Sequence, residues 1–370
     1  MAVIQGFERE EAQAQASGQW QQTSDRKVRV GVVGHGFCKF GAHFSFQEHP
    51  NVEVVAVSDL LPDRRAELAE ACRCGTSYPS LEALLQDDGV EAVFCATDAP
   101  AHAEHAIQAL EHGKHVATAV PAIFETLEDA DRLLDAVRRS GMTYMLFETS
   151  YYRADLYAMR QAYEAGALGR LVYAEGEYWH HAASGLDSYE GWRVGMPPQF
   201  YPTHSNAFQT GVDGASFTEV SCMGIPSDAP ELQPGNNRYQ NRFGTEIALM
   251  RTSSGGVARM GVSWDTPGLG GEVGRVRGDR GSMTGTTYEG EVEVADLPDV
   301  ARPPLPPDVD SGGHGGSHGH LTNEFVMSIV EERRPLIDIE AALAMSVAGI
   351  VAHQSATRDG ELLNIPQYRL

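Results

Sequence analysis

The sequence predicts an α/β domain with a doubly wound parallel sheet, followed by an α+β domain with an open, mostly antiparallel sheet. Two observations predict this class. In the first half, short apolar runs alternate with helical stretches, which is typical of a parallel sheet covered on both faces. In the second half, Ser253-Ser254-Gly255-Gly256 joins two apolar runs, as in a hairpin. The 370 residues are enough for two cores.

The first half contains five predicted strands, at 28–33, 52–57, 91–96, 115–119 and 143–147. Predicted helices lie between them, one at 101–112 that ends before Gly113 and one that opens at Thr126 and ends at Gly141. We therefore assign 27–150 to the first domain and 151–370 to the second. Residues 1–26 are a polar arm, which either packs on a neighbouring subunit or frays.

The second half reads as strands at 171–179, 247–251, 257–263, 282–287 and 291–295, closed by helices at 321–330 and 339–355. The Pro-, Gly- and His-rich segment 303–319 has no period and is predicted to be a loop. Open sheets with an apolar outer face usually pair, so we expect a homo-oligomer, a dimer or a tetramer.

The net charge of the chain limits the classes of partner that we expect it to bind. The chain has 28 Lys plus Arg against 51 Asp plus Glu, a net charge of −23. This charge repels phosphate backbones and anionic lipid, so we expect neither nucleic acid nor a membrane as partner, and a neutral or cationic substrate rather than a polyanion. Five cysteines without a CxxC pair, and no signal-peptide pattern at 1–26, favour a cytoplasmic protein.

The first strand runs into Gly34-His35-Gly36, and Phe37 and Cys38 follow. We expect Gly34, Gly36, Phe37 and Cys38 to border a nucleotide cofactor. Gly34 allows a tight turn, and Gly36 lets the backbone approach a pyrophosphate at the start of a helix. The third glycine of a GxGxxG fingerprint is missing, because position 39 is Lys39 and Gly41 comes two residues later. The turn alone is therefore a weak signal.

Asp59 strengthens the nucleotide interpretation. It ends the second predicted strand, 23 residues after Gly36, where an acidic residue binds the adenosine ribose of a dinucleotide. A carboxylate there repels a 2′-phosphate, so the sequence predicts NAD rather than NADP. The alternative is that Asp59 only caps the next helix.

Further segments resemble the Gfo/Idh/MocA oxidoreductase family. They are the TDAPAH segment at 97–102, GKHV at 113–116, AGALGRLV at 165–172 and FVMSIVEERRPLI at 325–337. The resemblance implies a Rossmann domain, a second domain with an open sheet, an active site between them, and oxidation or reduction of a sugar or cyclitol. It also implies that Thr97, His102, Ala119 and Pro121 border the cofactor.

The chain departs from the family where most members have Glu-Lys-Pro, whose lysine moves the substrate proton. Here the residues are Ala119-Val120-Pro121, and neither alanine nor valine transfers a proton. Tyr201-Pro202-Thr203-His204 instead resembles the YPTH stretch of an NAD-dependent glycosidase branch, whose tyrosine and histidine belong to the active site.

His204 is the first candidate for the base, because a neutral imidazole titrates near working pH. The alternative is a buried structural histidine. Tyr201 is a candidate for a second hydrogen bond to the substrate hydroxyl. Tyr152 and Glu148 follow the last strand of the first domain, at the edge of the sheet that borders the cleft, and are further catalytic candidates. The alternatives are that they orient the nicotinamide or only pack in the core.

Five residues are candidates for substrate binding: Trp192, Arg193, His180, His314 and His318. Indole stacks on sugars and guanidinium binds hydroxyls or a carboxylate, although Trp-Arg pairs are also common on surfaces. We expect no metal, because the glycines around His314 and His318 disfavour a helix that would align them.

Three functions remain open. The first is an NAD-dependent dehydrogenase of a sugar or glycoside. The second is a glycosidase in which bound NAD oxidises the sugar transiently, so that the aglycone is eliminated. The third is a binding protein that has lost the lysine and with it catalysis.

Overall fold

The structure is a computed structural model that describes residues 18–36, 39–181 and 188–370. Its first sheet is fully parallel and contains β1 (Val28–Val33), β2 (Val52–Ser58), β3 (Ser77–Tyr78), β4 (Ala92–Cys95), β5 (His115–Thr118) and β6 (Tyr144–Leu146). The order is β3-β2-β1-β4-β5-β6. The chain thus winds outward from β1 in two directions, and the switch point lies between β1 and β4.

The helices of this half are α1 (Pro62–Ala71), α2 (Leu81–Leu85), α3 (His102–Glu111) and α4 (Glu128–Ser140). One face of α4, which includes Leu133 and Val137, is buried, and the helix ends at Gly141 in the left-handed conformation, with φ of 65°. The parallel sheet and its helical cover are therefore confirmed.

The second sheet contains eight strands: β7 (Leu171–Trp179), β8 (Phe217–Pro226), β9 (Phe243–Thr252), β10 (Val257–Ser263), β11 (Gly271–Gly278), β12 (Gly281–Thr284), β13 (Thr287–Gly290) and β14 (Leu363–Asn364). The order is β13-β12-β11-β7-β10-β9-β8-β14, and β7 with β10 is its one parallel pair. The predicted hairpin joins β9 to β10.

Helices cover one face of this sheet: α5 (Ala154–Glu164), α6 (Thr203–Asp213) and α9 (Ile339–Ala356). The single turn α7 (Gly313–Gly316) and α8 (His318–Val330) precede α9. By length and composition α9 could cross a membrane, but 72% of it is buried in the protein, where it contacts both β8 and β6. It is a core helix between the two sheets.

Three predicted elements are wrong. No α-helix follows the Gly34–Gly36 turn among the described residues; short 3-10 helices, Phe40–Ala42 and Phe46–Glu48, lie there instead. The strand at 291–295 is absent, because the chain turns at Gly285 and Thr287–Gly290 pairs with β12. The loop at 303–319 ends earlier than expected, since α8 begins at His318.

The described part of the N-terminal arm bonds to its own chain. Trp20 Nε1 donates to Asn323 on α8 at 3.2 Å, and Arg26 pairs with Glu91 at 2.5 Å. Residues 1–17 of the predicted arm lie outside the described residues. The described part of the arm therefore packs along the first sheet and α8 of its own chain.

Candidate functional site

The Gly34 turn lies at the switch point of the parallel sheet, where ligands of doubly wound sheets bind. Gly34 has φ of +87°, and a Cβ on it would stand 2.6 Å from the Ala96 carbonyl oxygen. Gly36 also has a positive φ, 69°. A side chain at Gly34 would clash with the backbone that follows β4, so the turn can pack this closely on β4 only with glycine at this position.

Gly41 takes the close approach that the third fingerprint glycine usually makes. A Cβ on it would lie 2.2 Å from the Gly34 carbonyl oxygen, so the 3-10 helix Phe40–Ala42 can pack on the turn only with glycine at this position. Phe37 and Cys38, predicted to border the cofactor, lie outside the described residues.

Asp59 holds the glycine turn through one of its carboxylate oxygens and the residue before α1 through the other. Its Oδ2 accepts a hydrogen bond from the His35 backbone N–H at 2.8 Å, and its Oδ1 accepts one from Leu61 N–H at 2.8 Å. Part of the alternative interpretation is thus correct, because the carboxylate does anchor the residue before α1. Each oxygen still has a lone pair for a ribose hydroxyl, so the residues present fit NAD.

His102 connects the two loops expected beside the nicotinamide. Its Nε2 lies 2.9 Å from the Thr97 carbonyl oxygen and its Nδ1 lies 2.8 Å from the Pro121 carbonyl oxygen. Ala119 and Pro121 are buried at the carboxyl end of β5, next to β4. His102 therefore holds these two loops together.

His204 and Glu148 form a buried pair between the two sheets. Glu148 follows β6 and is fully buried, and His204 is the second residue of α6. Nδ1 of His204 lies 2.7 Å from Glu148 Oε1 and donates to it, since a carboxylate can only accept. The other nitrogen, Nε2, has no hydrogen-bond partner among the described residues. It is therefore free to accept a proton from a ligand.

Gly176 on β7 lets α6 bring His204 into this position. A Cβ at Gly176 would lie 2.1 Å from the Ser205 carbonyl oxygen, so the first turn of α6 rests directly on the sheet. Any larger residue would displace the helix and the imidazole with it.

Glu272, on β11, is a second buried carboxylate that the sequence did not reveal. Its Oε2 accepts from the Ser150 hydroxyl at 2.7 Å, and its Oε1 lies 3.8 Å from His204 Nδ1. Burial by itself would lower the pKa of His204, but Glu148 and then Glu272 outweigh it and hold that pKa above its ordinary value. The pair is thus built to stabilise an imidazolium.

Aromatic rings form the wall beside His204. Tyr178 lies 4.6 Å from its ring, and Tyr201 lies 5.7 Å from it. Trp264, which the sequence did not suggest, contacts Tyr178 edge to face at 5.7 Å and is only partly buried. His180 lies at the same wall, 5.7 Å from Tyr178. Tyr201 and His180 are therefore brought together with His204, as predicted.

Trp192 does not have the predicted role. Its side chain is 5% exposed, with Phe124 against it edge to face and the Arg193 guanidinium 4.2 Å from its ring centroid. Its rings are covered by protein, so it supports Arg193 instead of stacking on a sugar. Arg193 itself is half-buried and also lies over Tyr201.

His314 and His318 join the site to the nucleotide turn. Nδ1 of His314 lies 2.8 Å from Nε2 of His318, whose Nδ1 lies 3.2 Å from the His43 carbonyl oxygen. The His314 ring stacks over His204 with centroids 6.2 Å apart. Burial holds the pKa of both residues well below the ordinary value. Among the described residues, no group of His, Cys, Asp or Glu has the arrangement of a metal site.

Tyr152 is not brought to His204. Its ring stacks on His320 at 5.6 Å, and its carbonyl oxygen accepts from buried Arg302 at 2.9 Å. Arg302 also donates to the carbonyl oxygens of Gly315 and Gly316, at 2.7 Å each. Tyr152 thus helps to position the His314 turn and does not supply a base.

Comparison with known proteins agrees with this geometry. Residues 28–148 match the Gfo/Idh/MocA family model, described as an oxidoreductase family with an NAD-binding Rossmann fold. A glycosyl hydrolase family 109 protein of Porphyromonas gingivalis is 32% identical over 178 residues, which cover 45% of this chain and 38% of that protein. Another, from Streptomyces niveus, is 24% identical and aligns with 92% of this chain and 77% of its own length.

Solved structures with the same fold extend the likeness to both domains. Levoglucosan dehydrogenase, in complex with NADH and levoglucosan, has a TM-score of 0.75 and 19% identity over 92% of this chain and all of its own. Myo-inositol 2-dehydrogenase from Lactobacillus plantarum has a TM-score of 0.72 and 18% identity over the same shares. Residues 28–148 therefore belong to the Gfo/Idh/MocA oxidoreductase family and form its NAD-binding Rossmann domain.

Proposed function

We propose that this protein is an NAD-dependent oxidoreductase that acts on a ring hydroxyl, or the corresponding ketone, of a sugar or glycoside. One observation carries the proposal: His204 is hydrogen-bonded through Nδ1 to buried Glu148 and its Nε2 has no hydrogen-bond partner among the described residues, so the chain offers a base although the usual lysine is absent. The similarity to sugar and inositol dehydrogenases supports the substrate class.

The chain's own residues handle the proton. In oxidation, Nε2 of His204 accepts the hydroxyl proton of the substrate, and Glu148 stabilises the imidazolium that forms. Bound NAD would supply the acceptor for the hydride of the carbinol carbon and, when reduced, the hydride donor for the reverse reaction. Tyr201, beside His204, holds the reacting oxygen, and the buried wall of Tyr178 keeps water away.

The test is His204→Ala, with turnover followed by NADH absorbance on a panel of sugars and glycosides. We expect turnover to fall by about 10²- to 10⁴-fold, the usual contribution of a general base. His353→Ala is the matched control, because His353 forms a similar pair with buried Glu246 at 2.7 Å, on α9. A loss below about tenfold in His204→Ala would remove His204 from this role. NADH and sugar binding without any turnover in the wild type would favour the non-catalytic alternative.

A redox-assisted glycosidase is the second candidate, favoured by two observations. The relatives found by sequence carry the name glycosyl hydrolase family 109. Elimination of an aglycone needs a second base for a C–H proton, and Glu272 is a second buried carboxylate near His204. Aglycone release without accumulation of NADH would decide for the glycosidase, and NADH accumulation for the dehydrogenase.

We further propose a cytoplasmic homo-oligomer, with 27–150 as the nucleotide domain and 151–370 as the substrate and assembly domain. The uncovered face of the second sheet supports assembly, since Met223, Leu249 and Val273 are each more than half exposed on it. Four buried free cysteines support a reducing compartment. Sedimentation of the wild type and of Leu249→Glu measures the assembly.

A further inference from the structure

Arg193 places a half-buried positive charge beside the proposed base. Its guanidinium carbon lies 4.2 Å from the Trp192 ring centroid and 5.3 Å from that of Tyr201. The Tyr201 ring in turn lies 5.7 Å from His204. A single aromatic ring thus separates the guanidinium from the imidazole, a separation that one sugar ring can span.

This guanidinium forms no salt bridge among the residues that the structure describes. It lies over two aromatic rings, and its positive charge also acts on the partly buried Asp98 carboxylate, to which no hydrogen bond from Arg193 is formed. Arg238, which also lies over an aromatic ring, is instead paired with Glu125 at 2.5 Å. The charge of Arg193 reaches the site, because after burial it is the second cause that lowers the pKa of His180 to about 4.

The carboxylates nearest the proposed base are already occupied. Glu148 accepts from His204, and Glu272 accepts from Ser150. A guanidinium stacked on indole keeps the N–H groups at its edge available, and their planar fork matches a carboxylate. A phosphate monoester would bring nearly two negative charges close to Glu148 and Glu272, so a single carboxylate fits this field better.

Resting on the proposed function, we propose that the substrate is a sugar bearing a carboxylate, such as a hexuronic acid or its glycoside, and that Arg193 binds this group. The net charge of −23 suggested a neutral or cationic substrate, but the field at the site is set by the nearest charges rather than by the total. Arg193 would fix the orientation of the ring while His204 accepts the proton.

The experiment compares kcat/KM for glucose, galactose and their methyl glycosides with that for glucuronate, galacturonate and their methyl glycosides, and with that for glucose 6-phosphate and galactose 6-phosphate. NAD⁺ is present, and both NADH and methanol are measured. We expect the wild type to prefer the carboxylates by about 10- to 100-fold, the contribution of hydrogen bonds to a charged group. Arg193→Met should reduce this ratio to below threefold, and Arg193→Lys should retain part of it. Arg238→Met is the matched control and should keep the wild-type ratio.

Three results would overturn the inference: equal or better use of the neutral sugars by the wild type, a preference that survives in Arg193→Met, or a stronger preference for the 6-phosphates. The first leaves the proposed function intact, because turnover itself shows the redox chemistry. If no sugar is turned over, the proposed function fails, and calorimetry of glucuronate against glucose on the NADH complex still decides. Tighter glucuronate binding that Arg193→Met abolishes supports the assignment, and equal binding refutes it.

Discussion

Replacing Glu148 by Gln tests whether the charge of the buried pair matters, and not merely its hydrogen bond. Glutamine keeps the size of the side chain and can still accept from His204 Nδ1 through its amide oxygen. Glu148 Oε1 also accepts from the Ser150 backbone N–H at 2.9 Å, and an amide oxygen can replace that contact too. The substitution therefore removes the negative charge and replaces buried Oε2, which has no hydrogen-bond partner among the described residues, by an amide NH2 group.

The structure gives the direction and size of the effect. The pair has an N···O distance of 2.7 Å and both side chains are buried, so the hydrogen bond is charge-assisted and contributes about 1.5–3 kcal/mol. Losing the charged part lowers maximal kcat/KM by about 10- to 100-fold. Glu148 is the largest cause that raises the pKa of His204, so that pKa falls in the variant. Because the base must be neutral, the acidic limb of the profile moves to lower pH.

The assay is kcat/KM between pH 5 and pH 9 on the sugar that is turned over best. NADH titration by fluorescence, on the same preparation, shows that the nucleotide domain is folded. Glu272→Gln is the graded control: its Oε1 is 3.8 Å from Nδ1, so the limb should move in the same direction but less. An acidic limb that stays in place or moves to higher pH in Glu148→Gln would refute the proposed pair.

Two further predictions concern the fold. Gly34→Ala should abolish NADH binding and lower the free energy of unfolding by more than about 2 kcal/mol, because the new Cβ would lie 2.6 Å from the Ala96 carbonyl oxygen. Gly113→Ala is the control, because Gly113 has φ of +69° and open space around it. It should lower the free energy of unfolding in urea by only about 1 kcal/mol. Burial lowers the pKa of His49 in the folded protein to about 4, whereas in the unfolded chain it is about 6.5. As the pH falls through this range, His49 is protonated in the unfolded chain before it is protonated in the folded protein. The free energy of unfolding therefore decreases between about pH 6.5 and pH 4, by up to about 3 kcal/mol. His49→Gln should flatten that decline in thermal melts, and an unchanged slope would contradict this account.

The nucleotide half was largely predictable because its signals are local. A buried strand, a glycine turn and an acid at the end of the next strand lie within 32 residues, from Val28 to Asp59. The helix expected after the turn was the exception. Gly41 packs on Gly34 itself, and the chain continues in 3-10 helices.

In the second half, some strands could not be predicted because their residues have a low propensity for strand structure. Strand β11 contains glycines at 271, 274 and 278, which disfavour a strand prediction. In the structure Gly274 faces Phe208 of α6, and a Cβ there would lie 2.1 Å from that ring. Glu272 lies two residues before Gly274 on the same strand, so its side chain is on the same, inward face of the sheet. This orientation follows from the pairing of β11 with β7, which the local sequence does not show.

Sequence alone determined the type of fold and the NAD-binding class of the first domain, and it made His204 a candidate through the YPTH resemblance, because these signals lie in residues close together in the chain. Tertiary structure decided what His204 can do. Its partner Glu148 is 56 residues away and Glu272 is 68 residues away, and a contact at such separation depends on how α6 settles on β7. The same holds for Trp192. Its residue type suggested that it stacks on a sugar, but in the fold its rings are buried and the Arg193 guanidinium lies over them.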